Sequence, residues 1–233
     1  MVVLLAFLAV PGPATAQDAQ ARQAILVVDS LGQLALTLRA YAQLGQQVQP
    51  AQAGERLIQG RTDFDGLLAQ LLRRVGRQLS EADTQRLRQR WRSIRDATFT
   101  RPSPEIGALM SDIGEDIAAQ LRLLVQPPPT SHPLLERAWQ RQNLQQLAKE
   151  GLFGCWRADL ARWPQMDSLR GDFSRWLAAQ EQRLAQVTWV QYNAQWNLLT
   201  TSLPRDGVGC TQQAMLSLVS TAERLAQMIA SAQ

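Results

Sequence analysis

Residues 28–41 read VDSLGQLALTLRAY, and this stretch decides the fold class. Val28, Leu31, Leu34, Leu38 and Tyr41 recur three or four positions apart. That spacing lines one face of an α-helix, whereas a half-buried strand would alternate every second residue. Working outward, Leu87, Trp91, Ile94 and Thr98 form a second stripe. Met215, Leu218, Val219, Ala222, Leu225 and Ile229 form a third. Strand signals are sparse: β-branched runs are few, Asn-Gly turns are absent and aromatics make up only 6%. The chain is predicted to be all-α.

Helix punctuation agrees with the stripes. Ser80 with Asp83 three residues on can act as a capping pair. Ser103-Pro104-Glu105 offers an N-cap, a proline at the first helical position and a carboxylate against the helix dipole. His132-Pro133 opens another helix in the same way. Gln126-Pro127-Pro128-Pro129-Thr130-Ser131 reads as a stiff non-helical linker, and Gly207-Val208-Gly209 as a loop. Helices are therefore predicted near 18–47, 52–76, 81–99, 104–125, 133–160, 166–187, 188–202 and 211–231. The sixth and seventh can equally be one long helix, because no breaker separates them.

The first sixteen residues read as an address. Met1 to Val10 carry no charge, Pro11-Gly12-Pro13 ends the apolar run, and Ala14-Thr15-Ala16 supplies an Ala-x-Ala cleavage signal. The run is about half the ~20 residues that span a bilayer. A positive n-region is missing, so either the natural start lies upstream or the first codon is misassigned. The expectation is a soluble protein, not membrane-embedded, exported to the periplasm or secreted after cleavage near Ala16.

The Pro-rich linker sits near the middle, and the halves echo each other. Arg61-Thr62-Asp63-Phe64 is matched by Arg170-Gly171-Asp172-Phe173, and Gln89-Arg90-Trp91 by Ala194-Gln195-Trp196. Ala118-Ala119-Gln120-Leu121 is matched by Leu225-Ala226-Gln227-Met228, and Ser30-Leu31-Gly32-Gln33 lies over Arg137-Ala138-Trp139-Gln140. The four offsets fall between 105 and 109 residues and keep their order. Two copies of one up-down four-helix unit account for this better than chance likeness among Gln/Leu/Ala-rich helices. The expected organisation is a signal peptide at 1–16, one four-helix module at 17–126, a linker at 127–132 and a second module at 133–233, with long helices shared between modules as an alternative.

The duplication bears on the two cysteines. In an up-down bundle the end of the first helix and the start of the fourth lie at the same pole. Cys155 falls at the first of these places in the second module and Cys210 at the other. An exported protein with cysteines so placed is expected to form a disulfide; two buried free thiols are the alternative.

The segment from Trp139 to Lys149, WQRQNLQQLAK, resembles the first helix of the type IV pilus methyl-accepting chemotaxis transducer N-terminal domain, the PilJ type. That family carries an Arg-Gln-Arg-Met-Leu-Ser-Gln-Arg-like stretch, often continued by Leu-Ala-Lys. The matching stretch in the first half keeps Gln33, Leu36, Thr37 and Arg39. The Trp91 and Trp196 helices, each followed by a proline, fit the family's third helix. The resemblance implies an extracytoplasmic sensing module, related to nitrate-sensing helical domains, in which first-helix arginines clamp a small anion across a helical interface. A guanidinium fork suits that task because it offers bidentate, charge-assisted donors to a planar oxyanion. On this basis Gln33, Thr37, Arg39, Arg141, Gln145 and Lys149 are the candidate ligand-binding residues. The first half departs from the signature at Gly32 and Leu34, and the second at Trp139, so a symmetric two-arginine clamp is not reproduced.

Charge adds little on its own. The formal charge is +4, carried almost wholly by arginine, since Lys149 is the only lysine. Arg86, Arg88, Arg90, Arg92 and Arg95 crowd one predicted helix, either as a solvated face or as a dock for an acidic partner. Asp112, Glu115 and Asp116 read as an exposed acidic stretch. One histidine and two cysteines leave no Cys-x-x-Cys-His, His-Glu-x-x-His or triad motif, so no catalytic residue, metal site or cofactor is expected. Nucleic acid is not an expected partner. Two functions are carried forward. One is a non-catalytic sensor binding a small anion such as nitrate or nitrite, or engaging a membrane receptor or a pilus or chemotaxis signalling protein. The other is a structural or assembly adaptor without a ligand, working through the tryptophan-rich second half.

Overall fold

The computed structural model describes residues 13–75, 78–125, 132–157, 163–204 and 210–231. The start of the signal-like run, the Pro-rich linker and the Gly207–Gly209 loop lie outside the described residues. The described chain is all-α, as predicted: eight α-helices, one 3₁₀ turn and no strand. They are α1 (Pro13–Gly45), α2 (Pro50–Val75), α3 (Glu81–Ala97), α4 (Pro104–Arg122), α5 (Pro133–Arg157), α6 (Trp163–Gln180), α7 (Gln186–Ser202) and α8 (Gln212–Ser231). The 3₁₀ turn, Leu123–Val125, follows α4.

The caps form where the sequence places them. Ser80 Oγ accepts the Asp83 amide at 3.0 Å, and Ser103 Oγ accepts that of Ile106 at 3.3 Å. Each satisfies an amide that has no intrahelical acceptor. The sixth and seventh helices are separate. α6 closes where the amides of Arg183 and Leu184 both reach the Gln180 carbonyl. No glycine or proline makes this break. Leu184 packs against the core, and α7 starts from the extended Ala185 (ψ 140°) without a side-chain cap.

Helix contacts follow the same order in both halves. α1 packs on α2 and α4, and α3 on α4; α5 packs on α6 and α8, and α7 on α8. The second and third helices of each half meet through one repeated device. Phe64 lies 4.3 Å from Trp91 between ring centroids, and Phe173 lies 4.5 Å from Trp196. The Trp91 indole N–H donates to Asp65, and that of Trp196 to Ser174, in each case the residue two or one places beyond the repeated Asp-Phe pair's aspartate or phenylalanine.

The most extensive contact joins α1 to α5. Asp29 faces Arg141, Arg39 faces Gln145 and Gln46 faces the Leu152 carbonyl, so the two helices run parallel. The separations of these pairs, 112, 106 and 106 residues, lie close to the repeat offset. The first helices of the two halves thus meet at equivalent heights. Both are surrounded. From Leu144 to Gly154 every residue of α5 is buried, whichever way it points. Buried apolar side chains from Ala24 to Ile229 form one continuous cluster. Residues Asp18–Gly45 are long and apolar enough to cross a membrane by length and composition, yet an 18-residue apolar stretch within them is 78% buried inside the protein.

The cysteines are bonded. Cys155 at the end of α5 joins Cys210 just before α8, with Cα atoms 5.4 Å apart. The bond is compatible with an oxidising compartment. Trp156, next in the chain, packs on Tyr41 of α1 and Phe153. It is a wedge between the halves rather than a surface feature of the second one.

Candidate functional site

α1, α2, α5 and α8 enclose an open groove of about 1010 Å³. Its polar groups come from both halves because the central stretches of α1 and α5 are packed on all sides. A long polar side chain on either helix can end only where a neighbouring helix leaves room or supplies a partner. Arg39, 1% exposed, ends here. Its Nη1 donates to Gln145 Oε1 at 2.6 Å, and its Nη2 to Glu223 Oε1 at 2.5 Å. Arg56 of α2 grips the same carboxylate from the other side, Nη1 at 2.7 Å from Oε1 and Nη2 donating to Oε2 at 2.7 Å. Glu223 therefore sits between two guanidinium groups. The Arg39 Nε–H is buried and has no acceptor among the described residues.

Burial pushes the Arg39 pKa down to about 10; Glu223 opposes that shift and Arg56 adds to it. The group stays cationic at neutral pH. At the far end of the groove Arg141 Nη2 donates to Asp29 at 3.1 Å. Burial raises the Asp29 pKa, and the Arg141 charge works against the rise. Gln33, Gln59 and Gln142 line the wall between these two ion pairs.

Four of the six sequence-predicted residues, Gln33, Arg39, Arg141 and Gln145, line this groove. The other two do not. Thr37 is buried against α2, its hydroxyl donating to the Gln33 carbonyl at 2.9 Å. Gly60 of α2 leaves it room, since a Cβ there would stand 2.6 Å from Thr37 Oγ1. Lys149 points to the opposite side, where Nζ lies 2.6 Å from Glu115 of α4 and 2.8 Å from Glu150. Gln146 donates to both carboxylates. Burial would raise the Glu115 pKa, but the Lys149 charge and the hydrogen bonds from Lys149 and Gln146 hold it below the ordinary glutamate range. Of the acidic stretch, Asp112 and Asp116 are exposed as expected, Asp116 pairing with Arg90 at 2.9 Å, while Glu115 is half-buried against Lys149.

The two clusters mirror one another. A first-helix cation of each half reaches a fourth-helix carboxylate of the other: Arg39 to Glu223, Lys149 to Glu115. The cations are 110 residues apart and the carboxylates 108. Motif reading missed Glu223 and Arg56. The repeat offset held the missing signal, since it lays Glu115 almost onto Glu223.

A smaller groove of about 570 Å³ lies between α2 and α3, with Arg73, Arg88 and Arg92 on its exposed rim. Among the described residues no three His, Cys, Asp or Glu side chains gather as metal ligands would. No protein-family model, curated protein or solved structure matches the chain.

Proposed function

We propose that this chain is an exported, non-catalytic helical binding protein that takes a small anion in the groove between α1, α2, α5 and α8. In this reading it consists of two tandem PilJ-like units whose first helices pair as those of two subunits would. The observation that carries it is Arg39: a fully buried cation lining the groove beside Arg56, with one N–H donor left without an acceptor. A buried donor without a partner costs roughly 1–3 kcal/mol, which an oxyanion's lone pair recovers. In this reading the protein reports binding by docking to a membrane receptor or signalling partner.

A melting-temperature panel with nitrate, nitrite, sulfate and small carboxylates at millimolar concentration tests this reading. An anion-specific rise is expected, and it should vanish in Arg56→Ala. No rise with any anion speaks for the adaptor reading instead. One feature favours that second reading: Val187, Val190 and Leu198, 71%, 51% and 52% exposed, share a face of α7, the kind of apolar stripe a partner covers.

A further inference from the structure

We infer that the Arg39–Arg56 pair is a carboxylate-binding site, that Glu223 fills it in the unliganded protein, and that the ligand is a small organic acid whose carboxylate takes Glu223's place. The inference rests on the anion-binding reading above and names the ligand class and the gate. Glu223 is itself the evidence for what the pair fits. Its two oxygens accept one hydrogen bond from each guanidinium, Oε1 from Arg39 at 2.5 Å and Oε2 from Arg56 at 2.7 Å, and Arg56 Nη1 stands 2.7 Å from Oε1 as an ion-pair contact without a hydrogen bond of its own. Two guanidinium groups thus converge on one planar carboxylate, each through a charge-assisted hydrogen bond, and each keeps a buried N–H that Glu223 does not serve.

Accessibility says which member is anchored. The Arg39 side chain is 1% exposed, while those of Glu223 and Arg56 are 22% and 35% exposed. Glu223 stands at the mouth of the pair, on α8, and can swing toward solvent. Arg39 is fixed by Gln145 and the packing of α1 on α5. A carboxylate arriving in its place can in addition accept from Arg39 Nε–H, which Glu223 leaves unserved. Beyond the pair the groove runs along Leu36, Leu67 and Ala226. Those apolar walls suit the carbon stem of an organic acid, and a bare inorganic anion would leave them wet. At the far end the Asp29–Arg141 pair offers both charges to whatever the stem carries.

An internal competitor lowers apparent affinity by the fraction of time it leaves the site free. Acetate binding to the full-length protein, measured by calorimetry, should therefore be at least about tenfold tighter in Glu223→Gln than in the unmodified protein. Acetamide, of the same shape without the charge, should bind neither. Glu115→Gln, which removes an equal charge outside the groove, should leave acetate affinity unchanged. If Glu223→Gln folds poorly, Glu223→Asp serves instead: a carboxylate one methylene shorter competes less well, and acetate should gain a smaller factor. Equal acetate affinity in the unmodified protein and in the folded Glu223 variants overturns the inference. In that case an Arg56-dependent rise with another anion leaves the broader reading standing. No anion binding by any variant removes both. Binding seen only after Glu223 is replaced upholds the gate and shows that free acetate is too weak to open it.

Discussion

Gln47 bears the backbone cost of ending α1. Its φ of 58° lies in the left-handed region, where a Cβ crowds the following carbonyl. The geometry is the usual helix stop: Val48 N–H reaches back to the Gln43 carbonyl at 2.9 Å and Gln47 N–H to that of Leu44 at 3.2 Å. Glycine ordinarily holds this position. Gln47→Gly should therefore stabilise the fold by about 0.5–1 kcal/mol, raising the melting temperature by about 1–4 °C. A scanning melt checks it, and an unchanged or lowered midpoint would count against strain at this residue. Sequence reading passed over Gln47 because glutamine carries no turn signal. Arg39 was legible as a candidate through its place in the first-helix motif. Its partner was not, because Glu223 lies 184 residues away.

At the scale of elements, the contact of α5 with α4 carries a pH signature. The folded-state pKa of Glu115 is depressed, so the pair's contribution is fully present above glutamate's ordinary value of 4.5 and is lost as pH falls through the folded-state value. Stability should be flat from neutrality down to about pH 5 and then decline. In Glu115→Gln the decline should be shallower, while stability at neutral pH is lower because buried Lys149 loses one of its two carboxylates. Denaturant midpoints between pH 3 and 7 give both curves; parallel curves would mean that Lys149 does not hold Glu115 ionised. The helices themselves were legible almost end to end, because caps and three-to-four spacing are local. The α6–α7 break was not. No residue there forbids a helix, and only the demand that α7 pack on α8 turns the chain.

The whole molecule is held by one core and one covalent tie. The Cys155–Cys210 bond spans 55 residues of sequence, and loop closure in the unfolded chain is worth roughly 4 kcal/mol at most. Replacing both cysteines by alanine, or reducing the bond, should lower the melting temperature by up to about 8–16 °C. Thiol titration under denaturing conditions should find two free thiols only after reduction. Two in the untreated protein, or an unchanged melt, would contradict the tie. The sequence by itself determined the all-α class, the caps and the pairing of the cysteines, since each follows from local spacing or from a comparison of the two halves. The tertiary structure alone decided how the first helices meet. By setting α1 and α5 parallel and burying both, it sent Arg39 and Lys149 to opposite sides and gave each a carboxylate from the other half. A burial decision of that kind depends on which helices surround a residue, and no single stretch of sequence contains that information.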